Sequence, residues 1–457
     1  MKNKTIKIII NLLLIILLAS CNSSACKSGN TGLCELEKIK KLKIEESAKI
    51  KIGVFNEGFG NDLRESFALA YPKYKDLLEI SVIDFNNSLD LSDFNDLDLI
   101  QLRSEVVPLY INNLLPLDDS FESLLHNPVL EKLAAQINQD KNYFLPFDSE
   151  GLIFAYNKTM LESFNVDLSD SNNDGLPDAI DSFEKIADLA KSWRKDQVKY
   201  LDEEINEIFS FPLNDRLAML AFFENNDYRL IQGSSGEMID LSSNLYKALD
   251  NLKTLGQDKW RFDESLENDL FWNYEEILKN QKAPFLLVGN WMHYDHYQKS
   301  KAYELVFSKL PQLNNKDLAL LSSVSGFVIN KNTSYPNAAN MVLLHIKSPE
   351  GVQVTVNNGI IPTINKDLLK VEGFKISDNT KQQIKAYQYS EPAPLQAFEQ
   401  KPEVRAWDIY LENNFNEIIK DVFLNKKEPV VAYSEIKKII KDWLDLQGIV
   451  VEGVNND

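Results

Sequence analysis

The sequence is poor in the residues that nucleophilic and metal-dependent chemistry draws on. Its 457 residues hold three cysteines, at positions 21, 26 and 34, and none from Leu36 to Asp457. A cysteine nucleophile, a zinc–cysteine site and an iron–sulfur cluster are thereby excluded from the body of the chain. Histidine is scarce as well, with four residues, and no G-x-S-x-G elbow exists to support a Ser-His-Asp hydrolase. His293 and His296, with Asp295 between them, have a spacing that suits a metal on a helix. Without a third obvious ligand, such a pair is more often a surface or core feature. Positive charge is short too: 49 lysines and arginines against 68 acids give a net charge of −19. Such a chain repels nucleic acid and anionic membranes, so no nucleic-acid partner is expected.

What is present is apolar residue, at 44% of the chain, enough for a large core. At ~100–200 residues per domain, two or three domains fit this length. Lys2, Lys4 and Lys7 precede a run from Ile8 to Leu18 that is apolar except for Asn11. That run is shorter than the ~20 residues a bilayer span needs. With Leu18-Ala19-Ser20-Cys21 behind it, the segment resembles a bacterial lipoprotein signal and its lipobox. The resemblance implies removal of residues 1–20, which takes the charge from −19 to −22, and lipidation of Cys21. Acyl chains there would hold the protein at the extracytoplasmic face of a cell membrane. Residues 21–47 are polar and lysine-rich and read as a tether. Whether Cys26 and Cys34 pair within it is left open by the sequence.

From Lys49 the pattern alternates. "KIKIGVF" is a short strand run, followed by the loop "NEGFGN" and the helical "DLRESFALAYPKY"; "LEISVIDF" and "DLDLIQLR" are strand-like again. Strands alternating with helices predict a mostly parallel sheet covered on both faces. Ligands in such sheets sit beyond the carboxyl ends of strands, which points to Asn56–Asn61 and to Arg103-Ser104-Glu105. A second unit runs from "GLIFAYNKTML" through "APFLLVGNW", and the last hundred residues look largely helical.

Several segments, in order, resemble the extracellular solute-binding proteins of family 1, the maltose-binding-like components of ABC importers. They are "DLDLIQLRSEVVPLYINNLLPLDD", "NYFLPFDSEGLIFAYNKTMLESF", "SFEKIADLAKSW", "APFLLVGNWMH" and "SGFVINKNTSYPNAANMVLLHIKSPEGVQVTVNNGIIPTINKD". The resemblance implies an α/β, periplasmic-binding-protein-like fold: two lobes around a ligand cleft, joined by a hinge. Residues 48–149 and 311–350 would form the first lobe, and residues 150–310 and 351–457 the second. It also implies a monomer without enzymatic activity that captures a small solute, a carbohydrate above all, and passes it to membrane permease subunits. A sensor or surface-interaction protein on the same fold, or a receptor for a polyamine or peptide, stays open beside it.

The same resemblance nominates the cleft residues. Trp291 matches a tryptophan that stacks on sugar in many relatives, a role aromatic faces suit. Asp148 and Glu150 stand at the crossover, and Glu207 and Phe209 in "INEIFSFPLND" match a second-lobe cleft segment. Phe209 and its neighbour Phe211 suit a core equally well. Asn56, Glu57, Arg103 and Ser104 follow first-lobe strands, and Trp407 matches a late tryptophan of the pattern.

One stretch stands apart. "DSNNDGLPDAID" places oxygen donors at positions one, three, five, nine and twelve of a loop, with glycine at six. That is the layout of a calcium loop, with Asp170, Asn172, Asp174, Asp178 and Asp181 as side-chain ligands and Leu176 giving its carbonyl. Asp181 is shorter than the usual glutamate at position twelve. Lying in the second lobe, calcium here would stiffen a connector and leave cleft specificity alone.

Overall fold

The computed structural model describes residues 42–84, 95–118, 141–200, 243–258, 283–289, 304–364, 375–392 and 415–446. It also describes 121, 137, 203–205, 207–209, 211, 221–222 and 260. Strand β1 (Ile50–Val54) is a nearly continuous buried apolar run, as a strand covered on both faces must be. Helix α1 (Glu57–Ala70) starts where Asn56 accepts a hydrogen bond from the Phe59 amide and buries Phe59, Leu63 and Phe67 along one face. It ends at Tyr71, because Pro72 disfavours helical backbone in the residue before it. β2 (Leu78–Val82) and β3 (Leu99–Arg103) flank β1, both parallel to it. A short turn leads through α2 (Val107–Tyr110) to β4 (Leu114–Leu115).

β5 (Leu145–Asn157) spans thirteen residues and is followed by α3 (Lys158–Ser163) and α4 (Phe183–Asp196). α4 buries Phe183, Ile186, Ala187, Ala190 and Trp193, a helical spacing that the sequence displays openly. Then come β6 (Lys199–Tyr200), β7 (Glu203–Glu204), α5 (Ser243–Gln257), β8 (Phe285–Gly289) and β9 (Leu305–Ser308). The chain continues into β10 (Leu321–Asn330), α6 (Pro336–Lys347) and α7 (Pro349–Asn357). It closes with α8 (Asp378–Tyr387), β11 (Glu391–Pro392), α9 (Phe415–Phe423) and α10 (Pro429–Leu446).

The main sheet runs β2-β1-β3-β10-β5-β8. Its parallel pairs are β1 with β2, β1 with β3, and β10 with β11; β10 and β5 run antiparallel to their long neighbours. The expectation of a mostly parallel sheet therefore fails at the centre, where the chain passes between lobes along two long opposed strands. Residues 145–151 of β5 pair with β10, and residues 152–157 pair with β8 and β9.

Each half of β5 serves its own core. Phe59, Phe67, Phe147, Phe327 and the α6 face form one; Phe154, Phe183, Phe209, Phe211, Trp260 and Phe285 with α9 and α10 form the other. Leu313, Leu318 and Leu320, ahead of β10, are buried in the second core. α7 carries Val354 into the first core.

Gly151 lies where β5 changes partners, with φ +141. A Cβ there would meet the Leu321 carbonyl oxygen at 3.1 Å. Gly151→Ala is expected to lower stability by about 1–3 kcal/mol, read as a fall in the urea midpoint at unchanged m-value.

Candidate functional site

At the carboxyl end of β3, polar side chains gather from β3, β10 and β5. Register puts Arg103 and Asp148 both opposite Ser325, and Glu150 opposite Ser323. With period-two alternation these groups share one face of the sheet. Gln101, two residues before Arg103, is on that face as well. Its amide donates to Ser325 Oγ at 2.8 Å, and its Oε1 accepts from the Phe55 amide at 2.9 Å. Arg103 and Glu150 form an ion pair at 3.3 Å, each partly exposed. Asp148 is buried and accepts the Ser325 amide at 3.0 Å. From the other side, the ammonium of buried Lys347 donates to the Thr363 carbonyl at 2.8 Å and its hydroxyl at 3.1 Å.

Burial governs the charges here. It pushes the Glu150 carboxyl up to about 7, with Asp148 and Glu105 adding to the rise and Arg103 opposing it. Burial pushes Asp148 up to about 6, against the Ser325 hydrogen bonds and the attraction of Lys347 and Arg103. It also brings Lys347 down to about 7, opposed by Asp148. Two carboxyls and an ammonium that ordinarily titrates far above them thus meet near neutrality, a condition concentrated at functional sites.

The structure brings four expected residues, Arg103, Ser104, Asp148 and Glu150, to this edge. Ser104 is buried and donates to Glu105 Oε2 at 3.0 Å, so it shapes the turn after β3. Asn56 caps α1 with Glu57 in its first turn, at the end of β1 beside β3. Phe209 is a correction: it is fully buried, 4.4 Å from the ring of Phe211, and bridged to Phe285. Its neighbours Phe154, Phe183 and Trp260 complete an aromatic core, and the side chain meets no open face. Glu207 is likewise buried. Trp291 and Trp407, the His293–His296 pair and Cys21 lie outside the described residues. Sequence reasoning missed Gln101, Ser323, Ser325 and Lys347. Three of these left a trace, as polar positions inside "LIQLR" and "LSSVSGF"; Lys347 left none, since a helix-end lysine reads as solvated.

The loop at 170–181 folds around its own oxygens. Gly175 takes φ +93, and its amide donates to Asp170 Oδ2 at 2.8 Å. Asp174 Oδ1 accepts the Leu176 amide, and Asp178 Oδ1 accepts the Ser171 amide. Two lysines meet the remaining charge: Lys309 reaches Asp174 at 2.6 Å and Lys185 reaches Asp181 at 2.8 Å. Although partial burial works upward on Asp174, its bond to Lys309 holds it below the usual range. The donor chemistry suits calcium. Among the described residues, however, no three acidic, histidine or cysteine side chains converge on one point.

A family model described as bacterial extracellular solute-binding protein matches residues 60–384. The fold is similar to that of a cyclo/maltodextrin-binding protein solved with maltotetraose: TM-score 0.63, 18% identity, 88% of this chain and 98% of the other. It is similar to the maltose-binding periplasmic protein of Listeria monocytogenes solved with maltose: TM-score 0.61, 14% identity, 88% and 99% coverage. An extracellular solute-binding protein of Staphylococcus aureus, also with maltose, gives 0.62, 16%, 88% and 99%. No curated protein matches the chain. At these identities the likeness is one of fold.

A carboxyl raised above its ordinary value stabilises the folded state below that ordinary value and loses this contribution as pH rises through the shifted one. For Glu150 the window runs from about 4.5 to about 7. Glu150→Gln is therefore expected to raise the melting temperature relative to wild type above about pH 8 and to leave it nearly unchanged near pH 4.

Proposed function

Since the chain belongs to the bacterial extracellular solute-binding proteins, we propose that it captures a carbohydrate between its two lobes and delivers it to an ABC importer. The observation that carries this reading is the partly exposed Arg103–Glu150 pair at the strand crossing, held in place by the buried polar groups of Gln101, Asp148, Ser323 and Ser325. Pre-positioned donors and acceptors on a rigid sheet suit sugar hydroxyls, and the fold is shared with proteins solved with maltose and maltotetraose. Asn56 and Glu57 would extend the first-lobe wall, and Trp291, by its resemblance, would supply an aromatic face. Glu207 would act from behind the second-lobe wall. The protein works outside the cytoplasm, held by lipid on Cys21, with permease subunits as partners.

A thermal-shift series with maltose, maltotetraose and spermidine tests this. Saturating sugar at about a hundred times Kd should stabilise by about 2.7 kcal/mol. A shift with spermidine and none with sugar moves the reading to the polyamine class. Trp291→Ala should abolish the sugar shift while leaving the unliganded melting temperature in place.

Calcium belongs to the same proposal as a secondary ligand. Asp170, Asn172, Asp174, Asp178, Asp181 and the Leu176 carbonyl would hold it, with Lys309 and Lys185 displaced. Competition with two ammonium groups implies weak binding, in about the 10⁻⁴–10⁻³ M range of extracellular modules. Millimolar calcium should raise the melting temperature, and Lys309→Met should lower the calcium concentration required. Calcium titrations that leave both proteins unchanged refute the assignment.

A further inference from the structure

The strands that join the lobes are also the strands that carry the buried charges. β5 changes partners at Gly151, one residue beyond Glu150, and β10 meets β5 there through Ser322. A third segment crosses beside them: the Ser149 amide donates to the Ile361 carbonyl and the Thr363 amide to the Phe147 carbonyl, each near 3 Å. Lys347, the last residue of α6, fixes that segment through both oxygens of Thr363. Any movement of one lobe against the other bends these three crossings, and the ionisable groups sit among them.

The described residues around Glu150 come from several elements. Arg103 from β3 is its direct ion partner, and Glu105 from the following turn is a like charge. Asp148 lies two residues away on its own strand, and Lys347 from α6 faces Asp148. β10 contributes Ser323 and Ser325, and the third crossing contributes Thr363; all three are neutral. In this arrangement Glu150 keeps about a quarter of its side chain in water, at 28%.

We propose that Glu150 is the proton-binding element of the hinge, so that its protonation favours the closed arrangement of the lobes and its ionisation favours the open one. The inference rests on the solute-binding reading for the existence of closure. Closing strips the remaining water from Glu150, and removing water from a carboxylate costs far more than removing it from a carboxyl. Protonated Glu150 escapes that cost, and Arg103 keeps Asp148 as a counter-charge. In this structure burial outweighs the attraction of Arg103, so further desolvation acts in the same direction. By linkage, closure takes up a proton, and lower pH promotes it.

The experiment needs no solute. The full chain, with its three native cysteines replaced by serine, is labelled at Leu69→Cys and Val430→Cys. These are exposed positions on α1 in the first lobe and α10 in the second. Energy transfer between the labels is followed from about pH 8.5 to about pH 5.5. The expected result is a rise in transfer as pH falls, with its midpoint near 7. Glu150→Gln should give the low-pH transfer value at every pH. Should that variant fail to fold, Arg103→Met gives a second test, because loss of the guanidinium must move the midpoint upward. A flat wild-type titration overturns the proposal. So does a transition that persists in Glu150→Gln, or a midpoint unmoved in Arg103→Met. A protein that shows the transition and yet shifts with no sugar contradicts the solute class and leaves the hinge intact.

Discussion

The pairing of β5 with β10 is the constraint on which the other features rest. Two strands of thirteen and ten residues run antiparallel through the middle of the molecule. Each is long enough to serve the hydrophobic core of one lobe and reach the next. A strand buried on both faces must be apolar almost throughout, and β8 and the second half of β5 obey this. The first half of β5 departs from it at Asp148, Ser149 and Glu150, and β10 departs opposite them at Ser322, Ser323 and Ser325. The cost of those polar positions is offset by hydrogen bonds across the pair and by the lysine behind it. Polar groups at the crossing therefore come with a rigid frame, which is what recognition of hydroxyl groups needs.

The two cores respond to that frame in different ways. The first is assembled from α1, α6 and α7 against β1, β3 and β10, with the neutral ring of His345 edge-on to Phe67 and Tyr71. Burial brings that imidazole down to about 4, so it stays uncharged through the range in which Glu150 titrates. The second core is aromatic, with Phe183, Phe209, Phe211 and Trp260 in mutual contact. Aromatic pairs at such tilted angles fill volume and fix orientation at once.

Much of the fold was legible because single elements obey local rules. α1 and α4 announce themselves by apolar spacing and by Asn56 and Ser182 as caps. β1 announces itself as a buried run, and the 170–181 turn by its glycine and oxygens. The antiparallel centre was not legible, because direction is set by which distant strand comes alongside and leaves no local mark. Core membership was hidden for a related reason: Leu318 and Val354 would be apolar in either core, and only the third dimension assigns them. At the site, acidic residues near the crossover could be named from the resemblance. Their shifted protonation could not, since it depends on Lys347, nearly two hundred residues away, losing its water. Phe209 marks the opposite limit, where a motif pointed to a cleft and burial placed the ring in a core.

Two tyrosines at the end of α8 tie the strand crossing to the acidic loop. Tyr387 donates its hydroxyl to the carbonyl of Gly151 at 2.7 Å, and Tyr389, two residues on, donates to the carbonyl of Asp174 at 3.2 Å. The hinge glycine and the acidic loop thus hang from one short stretch of chain. They behave as two loads on a single bracket: whatever re-forms the loop presses on the same support that fixes the pivot, and the reach between them is set by one turn of backbone.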